Sequence, residues 1–172
     1  ERADEVAEEL SLLENEPIQL KLLEKMKKVL EIPSLQVFAA IIVMKLVNKT
    51  NTRHTLLKGG TLDSLVKILI QAEHTEPCNE WTLVCIVNAI KSLLWNGDPL
   101  AKKLSLRLNI IEKLHKIMAK DLSANLLILV LQCLFVLLHD AISIQIRSVR
   151  LLVHKTLISK AKDQTLDVPC RV

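Results

Sequence analysis

The amino-acid sequence predicts an all-α protein, a right-handed solenoid of about three to four stacked helical repeats. The first observation is composition. The 172 residues are half hydrophobic but include only 3 Gly, 2 Phe and 2 Trp and no Tyr, which disfavours β-sandwiches and barrels with their frequent turns and aromatic residues. The second is a helical pattern at 56–69 that recurs at 104–118. Aligning Leu62, Leu65 and Leu69 with Ile111, Leu114 and Met118 gives an offset of 111 − 62 = 49 residues.

The order of helices follows from apolar spacing and from breaks between helices. Residues 1–33 are expected to form N-terminal capping helices, the second of which ends near Glu31. Ser34 is a candidate N-cap for a nearly all-apolar helix over 35–48, which must be covered on most sides. A short helix at 53–58, the Gly59-Gly60 turn and a helix from Thr61 follow.

The same order then repeats. We expect a long helix at 79–95, a turn at 96–99, a short helix at 99–106, a medium one at 109–119 and a long apolar one at 124–138. Core repeats therefore occupy 34–140, a C-terminal capping helix 141–162 and an irregular tail 163–172, with 1–162 forming one domain. Because the first residue is Glu rather than Met, we expect a piece of a longer protein.

The succession of a short, a medium and a long apolar helix resembles the armadillo repeat. The stretch Gly-Gly-Thr-Leu-Asp-Ser-Leu-Val-Lys-Ile-Leu at 59–69 is similar to that family's most recognisable segment, and the resemblance covers 34–140. HEAT repeats fit less well, since Gly59-Gly60 separates two helices. The resemblance implies a non-catalytic interaction module of a scaffold or adaptor protein, whose long third helices line a concave groove.

Armadillo proteins that bind extended peptides present a Trp and, four residues later, an Asn from successive long helices. The Asn-like positions in this chain hold Asn48, Trp95 and His139, and the Trp-like positions hold Met44, Lys91 and Phe135. Since one Asn alone is present, we expect a partner helix or protein segment rather than a stretched basic peptide. The expected groove residues are Lys45, Asn48, Lys91, Trp95, Phe135 and His139.

Polar and aromatic residues within the long helices leave two interpretations open, exposure in the groove or burial with hydrogen bonds. We expect Lys45, Lys91 and Trp95 in the groove. Asn88 and Gln132 are expected to form buried hydrogen bonds between repeats, although groove exposure is an equal alternative. Trp81 is expected in the core, with a role as a binding anchor as the alternative.

No catalytic or cofactor motif is present. The five histidines are dispersed, no HExxH, GxSxG or Gly-rich phosphate loop occurs, and His74 with Cys78 and Cys85 lacks a fourth metal ligand. We therefore expect no enzyme activity, metal or cofactor. Four cysteines without a CxxC pair predict reduced thiols and a cytoplasmic or nuclear location. The longest apolar run, 126–138, is too short to cross a membrane.

The charge distribution suggests an alternative function. The net charge of +4 divides into −4 over 1–31, +4 over 32–140 and +4 over 141–172. The C-terminal basic residues could bind nucleic acid or an anionic surface, although a modest total charge favours a protein partner. The acidic N-terminal region could meet them in a second copy, so a homo-oligomer stays open. The basic patch consists of Arg147, Arg150, Lys155, Lys160 and Lys162.

Overall fold

The computed structural model describes residues 16–47, 50–74, 79–95, 98–120, 122–139, 155–156 and 158–159. These residues are all-helical and contain no strand. Residues 1–15 of the expected N-terminal capping helices and the tail at 163–172 lie outside them, as does most of the expected capping helix at 141–162. The helices are α1 (Glu16–Leu30), α2 (Gln36–Val47), α3 (Thr50–Lys58), α4 (Thr61–His74), α5 (Glu80–Leu94), α6 (Pro99–Arg107), α7 (Ile110–Met118) and α8 (Ala124–Leu138).

Local side-chain caps explain why several helices begin where the sequence predicts. The side chain of Asn79 accepts a hydrogen bond from the Thr82 amide at 3.3 Å before α5, and Ser123 accepts one from Leu126 before α8. Asp98 accepts from the Leu100 amide at 2.7 Å, with Pro99 at the first position of α6. Each cap satisfies an amide that the helix itself leaves unpaired, and Pro has no such amide to lose.

The expected N-cap at Ser34 is wrong. A 3-10 turn at Pro33–Leu35 precedes α2, its N-cap is Ile32, and Pro33 occupies its first position. The fixed φ of proline starts helical geometry there, so Ser34 lies inside the turn and α2 begins only at Gln36.

Each helix from α1 to α5 contacts the helix three positions later in the chain. The pairs are α1 with α4, α2 with α5, α3 with α6, α4 with α7 and α5 with α8. The contacts of α5 with α2 and with α8 are the most extensive, and α5 also packs on α4. The long helices therefore lie side by side with α5 in the middle.

An aliphatic core fills the space between the helices. The repeat aligned from the sequence is reproduced in burial, because Leu62, Leu65 and Leu69 are 0% exposed and their counterparts Ile111, Leu114 and Met118 are at most 3% exposed. The aligned positions thus share burial in the core.

Hydrogen bonds between distant helices repeat with a similar separation. Five of them join residues 41 to 44 positions apart. The pairs are Arg53 Nη1 to the Trp95 carbonyl, Lys91 Nζ to Gln132 Oε1, Arg107 Nη2 to Asp63 Oδ1, His115 Nε2 with Thr156 Oγ1, and Ser123 Oγ to Glu80 Oε1. Polar side chains therefore connect one group of helices to the next at a near-constant step.

Among the described residues, no single helix is long and apolar enough to span a membrane. Two consecutive segments, 24–30 and 33–47, meet the length and composition requirement only together, and the chain bends by 108° between them.

Two residues with left-handed backbone geometry occupy equivalent places. Gly60 (φ +77°) precedes α4, and Asn109 (φ +53°) precedes α7. Their separation, 109 − 60 = 49, equals the offset of the sequence repeat. Gly adopts this conformation freely, and Asn tolerates it better than most other residues.

We predict that Gly60→Ala lowers the free energy of unfolding by about 1–2 kcal/mol, the cost of left-handed geometry for an ordinary side chain. Gly60→Asn should cost less, because Asn is the residue that the equivalent turn already uses. The nearest atom to an added Cβ is the flexible Lys27 Nζ at 3.1 Å, which can move aside. Urea denaturation measures both variants, and equal losses for Ala and Asn would contradict the backbone explanation.

Candidate partner-binding face

The four aromatic residues of the chain all lie on the long helices or at their ends, and all are exposed to solvent. Phe38 on α2 is 37% exposed, Trp81 on α5 62%, Trp95 at the end of α5 52% and Phe135 on α8 68%. Large aromatic side chains usually bury most of their surface. The core of this protein contains none of them.

Helical spacing places both indoles on one side of α5. Trp81, Asn88, Lys91 and Trp95 follow one another along a single side of α5, and none is fully buried. Trp81 and Trp95 are 14 residues apart, which is about 21 Å along a helix. We call the exposed side of α2, α5 and α8 the aromatic face.

The same pattern recurs on α8 at an offset of 44. Asn125, Gln132, Phe135 and His139 correspond to the four α5 positions, and all of them are exposed. The rings of Phe135 and His139 are tilted against each other, with centroids 6.1 Å apart. The aromatic face is therefore continuous from α5 to α8.

The structure places most of the residues expected in the groove on this face. Lys45, Trp95, Phe135 and His139 are exposed, and Lys91 is half-buried. Asn48 lies outside the described residues. Their assignment as a binding groove stays a prediction, and so does its concavity.

The C-terminal basic patch falls largely outside the described residues. Lys155 is exposed within a short helical stretch. Arg147, Arg150, Lys160 and Lys162 are not described. Binding of nucleic acid or anionic surfaces by this patch stays a prediction.

One expectation about side chains in these helices is wrong, and of the two equal alternatives for Gln132 the structure has the exposed one. Trp81 is not in the core but is among the most exposed large side chains. Gln132 is exposed rather than buried, although it does form the expected bond between helices, accepting from Lys91 Nζ at 3.0 Å. Asn88 is half-buried. The separation of about four helical turns between Trp81 and Trp95 places both on the same, exposed side of α5.

Phe38 was missed altogether. It lies in an almost uniformly apolar helix, where spacing gives no contrast between a covered and an open side. Only the packing of α2 against α5 shows that Phe38 faces solvent.

Basic residues outnumber acidic ones on the helices of the aromatic face. Helices α2 and α8 contain no Asp or Glu, and the single carboxylate of α5, Glu80 in its first turn, accepts a hydrogen bond from Ser123 Oγ. Lys45 and Lys91 supply positive charge in the last turns of α2 and α5. The face thus combines aromatic and aliphatic surface with cations.

Arg53 fixes the end of the face at Trp95. Its Nη1 donates to the Trp95 carbonyl at 3.0 Å, which satisfies one of the carbonyls that the end of α5 leaves unpaired. The Nε of the same guanidinium is buried without a hydrogen-bond partner. The Trp95 backbone is therefore held in place while its indole remains exposed.

The surroundings of the two described thiols disfavour their thiolate forms. Cys85 and Cys133 are free and buried. Burial raises the pKa of both, for Cys133 to about 12, even though the charge of Lys91 acts to lower it. A thiol reacts as its thiolate, so these two are inert at neutral pH. Among the described residues, no three His, Cys, Asp or Glu side chains come close enough together to hold a metal ion.

Comparison of the chain with protein-family models, with curated proteins and with solved structures gave no match.

Acrylamide quenching should report both indoles as exposed. In Trp81→Phe and Trp95→Phe variants, each of which retains one Trp, we expect native quenching nearly as efficient as in urea, because the indoles are 62% and 52% exposed. Weak quenching of Trp81 in the Trp95→Phe variant would show that its indole is buried.

The raised pKa of Cys133 predicts lower stability at alkaline pH. The unfolded thiol, with a pKa of 9.0, ionises first while the folded thiol stays protonated up to about 12. The unfolded state therefore binds fewer protons, and stability is lost as pH rises from about 9 towards 12. Between pH 7 and pH 10 the loss is of order 1 kcal/mol. Urea denaturation of wild type and Cys133→Ala at several pH values isolates the contribution of this thiol. The same dependence of unfolding free energy on pH in both proteins would contradict its attribution to Cys133.

Proposed function

We propose that this chain is a non-catalytic protein-interaction module that binds a helix or peptide segment of a partner on its aromatic face. The observation that carries this proposal is that all four aromatic residues of the chain lie exposed on the adjacent long helices, with none in the core.

Exposed aromatic rings favour binding for an energetic reason. Trp is over-represented among the residues that dominate binding energy at protein interfaces, and large apolar side chains gain most when they leave water. A chain that needed these rings for stability would bury them. Instead Leu, Ile and Val fill the core, which leaves the rings available to a partner.

We further propose an armadillo-like stack of repeats as the architecture. It is supported by the contact of each helix with the one three positions later, and by the left-handed residues Gly60 and Asn109 at the repeat offset. In such a stack α2, α5 and α8 are the third helices, which in armadillo proteins line the binding groove. The free thiols Cys85 and Cys133 fit a scaffold or adaptor in the cytoplasm or nucleus.

The test compares proteins captured from cell extract by three versions of the chain. Wild type is compared with a triple variant, Trp81→Ala, Trp95→Ala and Phe135→Ala, and with Ile32→Ala, which removes an exposed apolar side chain outside the long helices. We expect wild type and Ile32→Ala to capture the same partner proteins. The triple variant should capture at least tenfold less of them.

Thermal melting and sedimentation provide the controls. Because the replaced side chains are exposed, we expect the melting temperature of the triple variant to stay close to that of wild type. A large fall would show that the rings are structural. Self-association that disappears in the triple variant would identify a second copy as the occupant and contradict the proposal of a different partner.

A further inference from the structure

We infer that the aromatic face selects an acidic amphipathic helix, one that presents apolar side chains to the rings and carboxylates to Lys45 and Lys91. This inference rests on the proposed function and adds the chemistry of the partner. Its basis is the position of Lys45 and Lys91 beside exposed aromatic and aliphatic side chains; within the helices α2, α5 and α8 the one carboxylate is Glu80, at the start of α5.

Lys91 places the strongest chemical constraint on the occupant. Its half-buried side chain lies one helical turn before Trp95, and Phe135 occupies the corresponding position on α8. Its ammonium donates to Gln132 Oε1 at 3.0 Å. An ammonium has three N–H donors, and the amide oxygen accepts from only one of them, so water must serve the others.

An occupant that covers Trp95 and Phe135 also removes water from Lys91. Taking a charge out of water is costly unless an opposite charge with good geometry replaces that water. An uncharged apolar helix would leave the ammonium poorly satisfied, and a basic helix would add repulsion. A carboxylate on the occupant offsets the cost of removing water from the ammonium. Lys91 therefore disfavours uncharged and basic helices and favours acidic ones.

The positions of Lys45 and Lys91 predict how far apart the acidic residues of the occupant helix lie. Lys45 is exposed on α2, which packs beside α5, and in the alignment of the long helices it corresponds to Ser92, one residue after Lys91. Packed helices lie about 8–10 Å apart. Two turns of an occupant helix span about 11 Å, so acidic residues seven apart can reach both cations.

The surface favours a helix over an extended peptide. An extended peptide needs partners for its backbone amides and carbonyls, whereas a helix satisfies its own and offers only side chains. At the positions where a backbone clamp would require Asn, α5 and α8 present Trp95 and His139.

The test uses two labelled synthetic peptides of about five helical turns. Both carry the same Leu positions at helical spacing, one with Glu and the other with Lys at the remaining charged positions. Fluorescence anisotropy measures their affinity for the chain. At low ionic strength we expect the Glu peptide to bind at least tenfold more tightly than the Lys peptide, with the difference shrinking as salt is added.

Substitutions at the two lysines identify the source of the preference. Lys45→Gln with Lys91→Gln should weaken binding of the Glu peptide about tenfold. The matched control is Lys67→Gln with Lys103→Gln. It removes two exposed lysines outside α2, α5 and α8 and should leave binding unchanged. Lys45→Glu with Lys91→Glu should reverse the preference towards the Lys peptide. Circular dichroism verifies that each variant is folded.

The outcomes separate this inference from the proposed function. Equal binding of both peptides, lost in the triple aromatic variant, overturns the acidic preference and leaves the face as a binding surface. Tighter binding of the Lys peptide to wild type, or no binding of the Glu peptide, also overturns it. The proposed function fails separately, when wild type and the triple aromatic variant capture the same proteins from extract.

Discussion

The burial of α5 between its neighbours is the constraint on which the rest of this structure depends. Eight of its residues are buried, and α2, α8 and α4 cover them. Each fully buried Leu or Ile contributes about 1.5–3 kcal/mol relative to an exposed one, so a helix this apolar is stable only with neighbours on most sides. One strip of α5 then remains open to solvent. That strip, continued across α2 and α8, is the aromatic face.

Stability and recognition are divided between different side chains. Aliphatic residues fill the core, and polar bonds about one repeat long, such as Arg107 to Asp63 and Lys91 to Gln132, join successive groups of helices. The aromatic rings take no part in the core. Surface substitutions on the face can therefore change what the protein binds at little cost in folding free energy, because the helices are held together elsewhere.

The helices from α5 to α8 agree with the sequence prediction to within one residue. The starts of α5, α6 and α8 depend on local caps and proline at Asn79, Asp98-Pro99 and Ser123. Local signals were less reliable before α2, where Pro33 began a 3-10 turn and Ser34 failed as a cap. The candidate site was recovered in part. Trp95 and Phe135 were expected at the surface, but Trp81 was assigned to the core and Phe38 was not considered.

The sequence by itself determined the all-helical class, the helix order and the repeat offset, because spacing, caps and turn residues act over a few positions of the chain. Only the tertiary structure decided that Trp81 and Phe38 face solvent and that Lys91 bonds Gln132 across α5 and α8. Periodicity records which residues share one side of a helix. It does not record which side the next helix covers, and in helices as apolar as α2 and α8 that choice belongs to packing between segments distant in the chain.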